Sequence, residues 1–131
     1  MLTLSSTVVE NTTGLYIFSL VDAAGQGLAA SQIEALTLTY YDVASKAILN
    51  SREGQDVLNT NHVALETVAG PPLVTTITWT LQPADTVILD DAWSIEPHAA
   101  IFRWTWDSGT RHGAHAVQFG IENVADAPVV A

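Results

Sequence analysis

The stretch VTTITWTL, Val74 to Leu81, places Ile77, Trp79 and Leu81 on one side of an extended chain and Thr76, Thr78 and Thr80 on the other. A period of two is the mark of a half-buried strand, because successive side chains leave opposite faces of a sheet. The period returns in LTLTYYD, with Leu36, Leu38 and Tyr40 facing away from Thr37, Thr39 and Tyr41, and again in HAAIFRWTW and HAVQFGIEN. Runs of this kind, bounded by Gly, Pro, Asn and Asp, restrict the chain to an all-β sandwich or barrel. Further strands are expected at Leu15–Val21, at KAILN (Lys46–Asn50, paired with LTLTYYD through DVAS) and at Val63–Glu66, and LAASQIEA is expected to hold a loop or a short helical turn. Pro83, with Asp85 close behind it, suits the first turn of a helix, so one short helical turn is expected near 83–89.

At 131 residues the chain is expected to form a single domain over 1–131, large enough to bury a core without staples. It has no cysteine, which excludes disulfides, thiolate metal sites and cysteine nucleophiles. Only Lys46, Arg52, Arg103 and Arg111 stand against 14 acidic residues, giving a net charge of −10. Phosphate backbones and anionic lipid surfaces are both held by clustered Lys and Arg, so no nucleic-acid and no membrane partner is expected. No apolar run approaches the roughly 20 residues of a membrane helix. No basic stretch followed by an apolar run opens the sequence, so no secretory signal is expected.

The densest chemistry lies in RWTWDSGTRHGAH, Arg103 to His115. Phe102, Trp104 and Trp106 share one face, and so do Val117, Phe119 and Ile121 of the next run. Matching large residues with large predicts a hairpin that pairs Trp104 with Val117 and Phe102 with Phe119. Asp107–Ala114 then forms the tip, with Gly109 and Gly113 supplying its unusual backbone angles. In that register His98 lies roughly 26 Å from the Trp106–His115 row, too far to join His112 and His115. Two histidines on a loop fall short of the three or four ligands zinc takes, so both read as solvated tip residues. Trp79, Trp104 and Trp106 read as core, with Trp79, Trp104 and Phe119 sharing it, whereas Trp93 in DDAWSIEPH either caps the end of the core or stands at an interface.

Asp90, Asp91 and Glu96 could be set against calcium, but they lack the spaced Asp/Asn loop with a central Gly. No metal site, cofactor or catalytic group is therefore expected, and no nucleophile elbow or phosphate-cradling Gly loop is present. Leu2, Leu4 and Val8 make the first thirteen residues an apolar arm or edge strand. That arm and the DAPVVA end are expected to dock on the domain itself or on a neighbour. With Trp93, Arg111 and His112, the three arm residues form the expected partner-binding set.

TTITWTLQPADT, Thr75 to Thr86, resembles the end of one strand and the following turn of immunoglobulin variable domains, through the alternation and then Leu81, Gln82, Pro83, Asp85 and Thr86. Leu89 stands where that family has its tyrosine and Asp91 where it has its cysteine, so the family's disulfide core is missing. Over Leu36 to Val124, the succession LTLTYYD, DVLNTNHVAL, ITWTLQPADTVILDD, HAAIFRWTW and HAVQFGIENV resembles small immunoglobulin-like proteins encoded among the virion genes of tailed bacteriophages. The resemblance implies an immunoglobulin-like antiparallel β-sandwich of about seven to nine strands. It also implies a non-enzymatic structural role in the virion, in the head or neck, for example as a capsid decoration protein, among other virion proteins and copies of itself. The alternatives are a tail component, or a carbohydrate- or cell-surface-binding module that stacks sugars on Trp93, Tyr40 and Tyr41.

Overall fold

The computed structural model describes residues 2–22, 24–90 and 92–124. Eight strands are found among them: β1 (Leu2–Val9), β2 (Gly14–Leu20), β3 (Ala35–Asp42), β4 (Gln55–Asp56), β5 (Val63–Val68), β6 (Val74–Leu81), β7 (Ile95–Trp106) and β8 (Arg111–Glu122). One sheet runs β1-β8-β7-β3-β4 and the other β2-β6-β5. Two sheets packed face to face in this order make an all-β sandwich. It departs from the expected all-antiparallel pattern at one pair, since β1 runs parallel to β8.

The alternation in the sequence sets the two inner faces. Leu36, Leu38 and Tyr40 of β3, Ile77, Trp79 and Leu81 of β6, Phe102, Trp104 and Trp106 of β7, and Val117, Phe119 and Ile121 of β8 are all buried. Trp79 lies at the centre, with ring centroids 5.1 Å from Tyr40, 5.7 Å from Phe102 and 6.2 Å from Phe119, the tilted-to-edge arrangements that aromatic quadrupoles favour.

The β7–β8 hairpin is registered four positions away from the expected pairing. Trp104 faces Gly113, Phe102 faces His115, and Val117 and Phe119 face Ala100 and His98. The tip is the tight Asp107–Thr110 turn, in which Asp107, Ser108 and Gly109 all take positive φ. An even displacement leaves every residue on its expected face, so alternation alone does not fix the register. Packing across the sandwich does. The Trp104 indole lies over Gly113, where an added Cβ would sit 2.4 Å from the ring, and His115 stacks at 4.2 Å on Phe18 of the opposite sheet. Phe102 and His115 thus both meet Phe18 across the sandwich. Gly113 is there for this close approach, not for a turn, and among the two glycines named for the tip only Gly109 has positive φ. We expect Gly113→Val to lose about 1–3 kcal/mol by overpacking against Trp104, measured by urea unfolding, whereas Gly109→Asn at the open turn loses less.

Two local expectations are corrected. KAILN forms only an isolated bridge between Tyr41 and Ile48. Lys46, Asn50 and Ser51 take positive φ, which breaks an extended run there, and Gln55–Asp56 supplies the strand beside β3 instead. The helical turn shrinks to a 3-10 turn at Pro83–Asp85. The backbone N–H groups of Leu89 and Asp90, which a longer helix would direct at its own carbonyls, donate to the Glu96 carboxylate.

Candidate functional site

At one end of the sandwich the inner faces turn from apolar to ionic. Continuing the alternation of β3 past Tyr40 brings Asp42 inward, and continuing β7 back from Ala100 brings His98 and Glu96 inward; Asp42 and His98 are cross-strand partners. Asp42 is 4% exposed and Glu96 and His98 are fully buried.

Donors and acceptors fix much of the chemistry here. The Tyr40 hydroxyl donates to the Asp85 carbonyl at 2.7 Å, and its oxygen lies 2.9 Å from His98 Nδ1. A hydroxyl has one proton, so Tyr40 accepts from His98, and the imidazole carries its proton on Nδ1. Nε2 then faces Glu96 Oε1 at 2.6 Å, which requires a proton between them. The Glu96 carboxylate also accepts from the Leu89 N–H at 3.0 Å and the Asp90 N–H at 2.9 Å. Burial first, and then the negative charge of Asp85, push the Tyr40 phenol well above its ordinary range, which keeps it a donor.

Beside this chain lies a second buried ion pair. Asp85 accepts from Arg52 Nε at 2.7 Å, from Arg52 Nη2 at 3.1 Å, from Asn50 Nδ2 at 2.8 Å and from the Gln82 N–H at 2.8 Å. The guanidinium also lies 5.6 Å from the Trp79 ring centroid and donates to Gln55. Arg52–Asp85, Tyr40, His98 and Glu96 form one connected polar network at the end of the core.

The six expected partner-binding residues are not brought together. Leu4 and Val8 are half-buried against the core, because β1 is a strand of its own sandwich, and of the three arm residues only Leu2 is exposed, at 51%. Arg111 and His112 lie at the tip end of the hairpin. Arg111 pairs with Asp107 across the turn at 3.2 Å, and His112 is exposed beside Thr105. Trp93, 39% exposed, lies at the other end of the β7–β8 ribbon, roughly 36 Å away at strand rise. Its carbonyl accepts from Asn123. The DAPVVA end, 126–131, and Asp91 lie outside the described residues.

The readings of individual side chains change as well. His115 is no tip residue: it is half-buried between the sheets, bonded to the Tyr16 hydroxyl, and desolvation lowers its pKa. It faces inward while His112 faces outward, so the two cannot share an ion. Glu96 is turned into the core and so cannot join Asp90 in an exposed calcium loop. The sugar platform does not form, since Tyr40 is fully buried and Tyr41, on the opposite face of β3, is half-buried with Lys46 over its ring. A groove of about 350 Å³ runs between β1 and β2, lined by Leu4, Val8, Thr12, Tyr16, Leu81 and Phe119 among others; none of its described lining residues is a carboxylate or a histidine. No described helix is long and apolar enough to cross a membrane.

What the sequence reading missed was the inward ionic end. Its signal was present, because Asp42, Glu96 and His98 fall in phase with Tyr40 and Phe102 on faces already identified as core. No protein-family model matches the chain, and no curated protein matches it.

Proposed function

We propose that this chain is a non-enzymatic structural subunit of a tailed-bacteriophage virion, held in the head or neck as a capsid decoration protein is, and working through contact with other virion subunits and with copies of itself. The reading rests on the sequence resemblance and is supported by one surface. On the outer face of the three-stranded sheet, Leu15 is 66% exposed, Ile17 55% and Val68 61%, and between them stand Thr76, Thr78 and Thr80. Glu66 is the one charged residue among the described strand positions of that face, in a chain of net charge −10. Charge is thus kept largely off a patch of β-branched and aliphatic side chains, and depletion of charged residues is a compositional mark of the core of a contact surface. β2 is also an edge of its sheet, open to strand addition.

The test begins with particles produced by the genome that encodes the chain. Quantitative mass spectrometry of purified particles is expected to find the protein at a fixed multiple of a head or neck subunit. Co-purification with isolated tails would move it to the tail, and absence from particles would overturn the reading. Ile17→Asp is expected to leave the melting temperature within a few degrees of wild type and to abolish binding to particles that lack the protein. Deleting residues 2–9 has a different expected outcome. It removes the β1–β8 pairing, so the truncated protein melts at a clearly lower temperature whether or not it binds.

A further inference from the structure

We propose that Asp42, Glu96 and His98 form a binding site for one transition-metal dication of the zinc class, closed inside the end of the sandwich. The inference is independent of the virion reading. One ligand atom from each residue lies within 4.8 Å of the others.

Each of the three is supported at the atom that would not bind. The Nδ1–H of His98 is given to Tyr40, whose hydroxyl is committed as an acceptor by its own bond to Asp85, so Nε2 is the nitrogen left for an ion. Glu96 Oε2 accepts from the Asp90 N–H, while Oε1 faces His98 and shares the Leu89 N–H with Oε2. Asp42 Oδ2 accepts from the Ser45 N–H at 3.0 Å and from the Ser45 hydroxyl at 2.6 Å. Its Oδ1 is buried with no hydrogen-bond partner. An orphaned carboxylate oxygen in a residue only 4% exposed is the observation that points to a ligand, because a buried acceptor without a donor is destabilising and native folds rarely leave one. Orientation of a ligating histidine through its second nitrogen, and of ligating carboxylates through their second oxygen, is the usual outer support of a metal site.

Charge points the same way. Asp42, Asp85 and Glu96 are buried carboxylates, and Arg52 is the one buried guanidinium, already committed to Asp85. A neutral imidazole and two carboxylates are balanced by a dication that takes the place of the proton between His98 and Glu96. An imidazole in the set selects zinc-like ions over calcium and magnesium, which prefer all-oxygen shells. Metal–ligand bonds near 2.0–2.2 Å in a tetrahedral shell put neighbouring ligand atoms about 3.3 Å apart. Side-chain shifts of under about 1 Å open the His98–Glu96 contact from 2.6 Å to that spacing.

Because the site is closed, ion loading is tested on full-length protein stripped with EDTA in denaturant and refolded with Zn²⁺ or without metal. After dialysis, the zinc-refolded protein is expected to retain one zinc per chain and to melt several degrees above the metal-free form. Asp42→Asn and His98→Gln are each expected to reduce zinc affinity at least tenfold and to remove the zinc-dependent rise in melting temperature. Refolding wild type with Co²⁺ gives a readout that needs no variant to fold: intense visible bands of a low-coordinate nitrogen- and oxygen-ligated ion are expected. Wild type that retains no zinc, a Co²⁺ spectrum like that of the aqueous ion, or a zinc-dependent rise that survives in folded Asp42→Asn and His98→Gln would each overturn the proposal.

Discussion

Asp85→Ala is expected to destabilise the protein by about 3–5 kcal/mol, because it strands the Arg52 guanidinium inside the core. Asp85 is fully buried and Arg52 is 2% exposed, so water cannot take over the charge. The carboxylate also satisfies Asn50 and the Gln82 N–H that opens the 3-10 turn, so both of those donors lose their acceptor as well. Urea unfolding of Asp85→Ala, Arg52→Met and Arg52→Met/Asp85→Leu checks this. The double replacement leaves no unpaired charge and is expected to lose much less than the sum of the single ones. A loss under about 1 kcal/mol in Asp85→Ala would mean that solvent reaches the pair.

Trp104→Ala carries the second large effect, about 3–5 kcal/mol, the range for deleting a large aromatic from a packed core. Trp104 is 5% exposed, lies over Gly113 and faces the Phe18 ring at 6.3 Å. The cavity left behind would be bounded by strand backbone on the Gly113 side, which cannot collapse to fill it. Trp93→Ala provides the internal contrast. With that side chain 39% exposed in a turn, its loss is expected to stay within about 0.5 kcal/mol. Similar losses in the two variants would show that the core assignment of Trp104 is wrong.

The parts of the fold that were legible in the sequence are those fixed by a two-residue period. Ile77, Trp79, Phe102, Phe119 and their neighbours face the side that their spacing indicates, and all are buried. Register is a different matter. Pairing Trp104 with Val117 or with Gly113 gives the same faces, and the choice depends on Phe18 and the rest of the opposite sheet, distant in sequence. KAILN failed as a strand for a related reason. Its composition is strand-like, but the positive φ at Lys46 and Asn50 belongs to a turn whose geometry is set by contact of Leu49 and Arg52 with Tyr40. The candidate site was half legible. The phase of Glu96 and His98 placed them inward, yet charged residues at core positions read as strand ends until a partner such as Tyr40 or Asp42 is known to meet them. The apolar arm was read for its composition, and only the pairing with β8 shows that Leu4 and Val8 serve its own core.

The parallel pairing of β1 with β8 has a consequence for how the chain is made. Thr7 and Glu122, brought side by side by that pairing, are 115 positions apart. At about 5–20 residues per second, a ribosome needs roughly 6–23 s to travel from one to the other. For that interval β1 has left the ribosome while the strand it pairs with does not yet exist. The remaining strands of the large sheet, β3, β4 and β7, are also synthesised before β8 can close over them. β1 is therefore made before the other described strands of its sheet and is among the last of them to find its place, and until then its Leu2, Leu4 and Val8 are open to any other unpaired edge. A nascent chain of this design depends on the Ser and Thr residues interleaved in β1, which keep an isolated strand from being apolar on both faces.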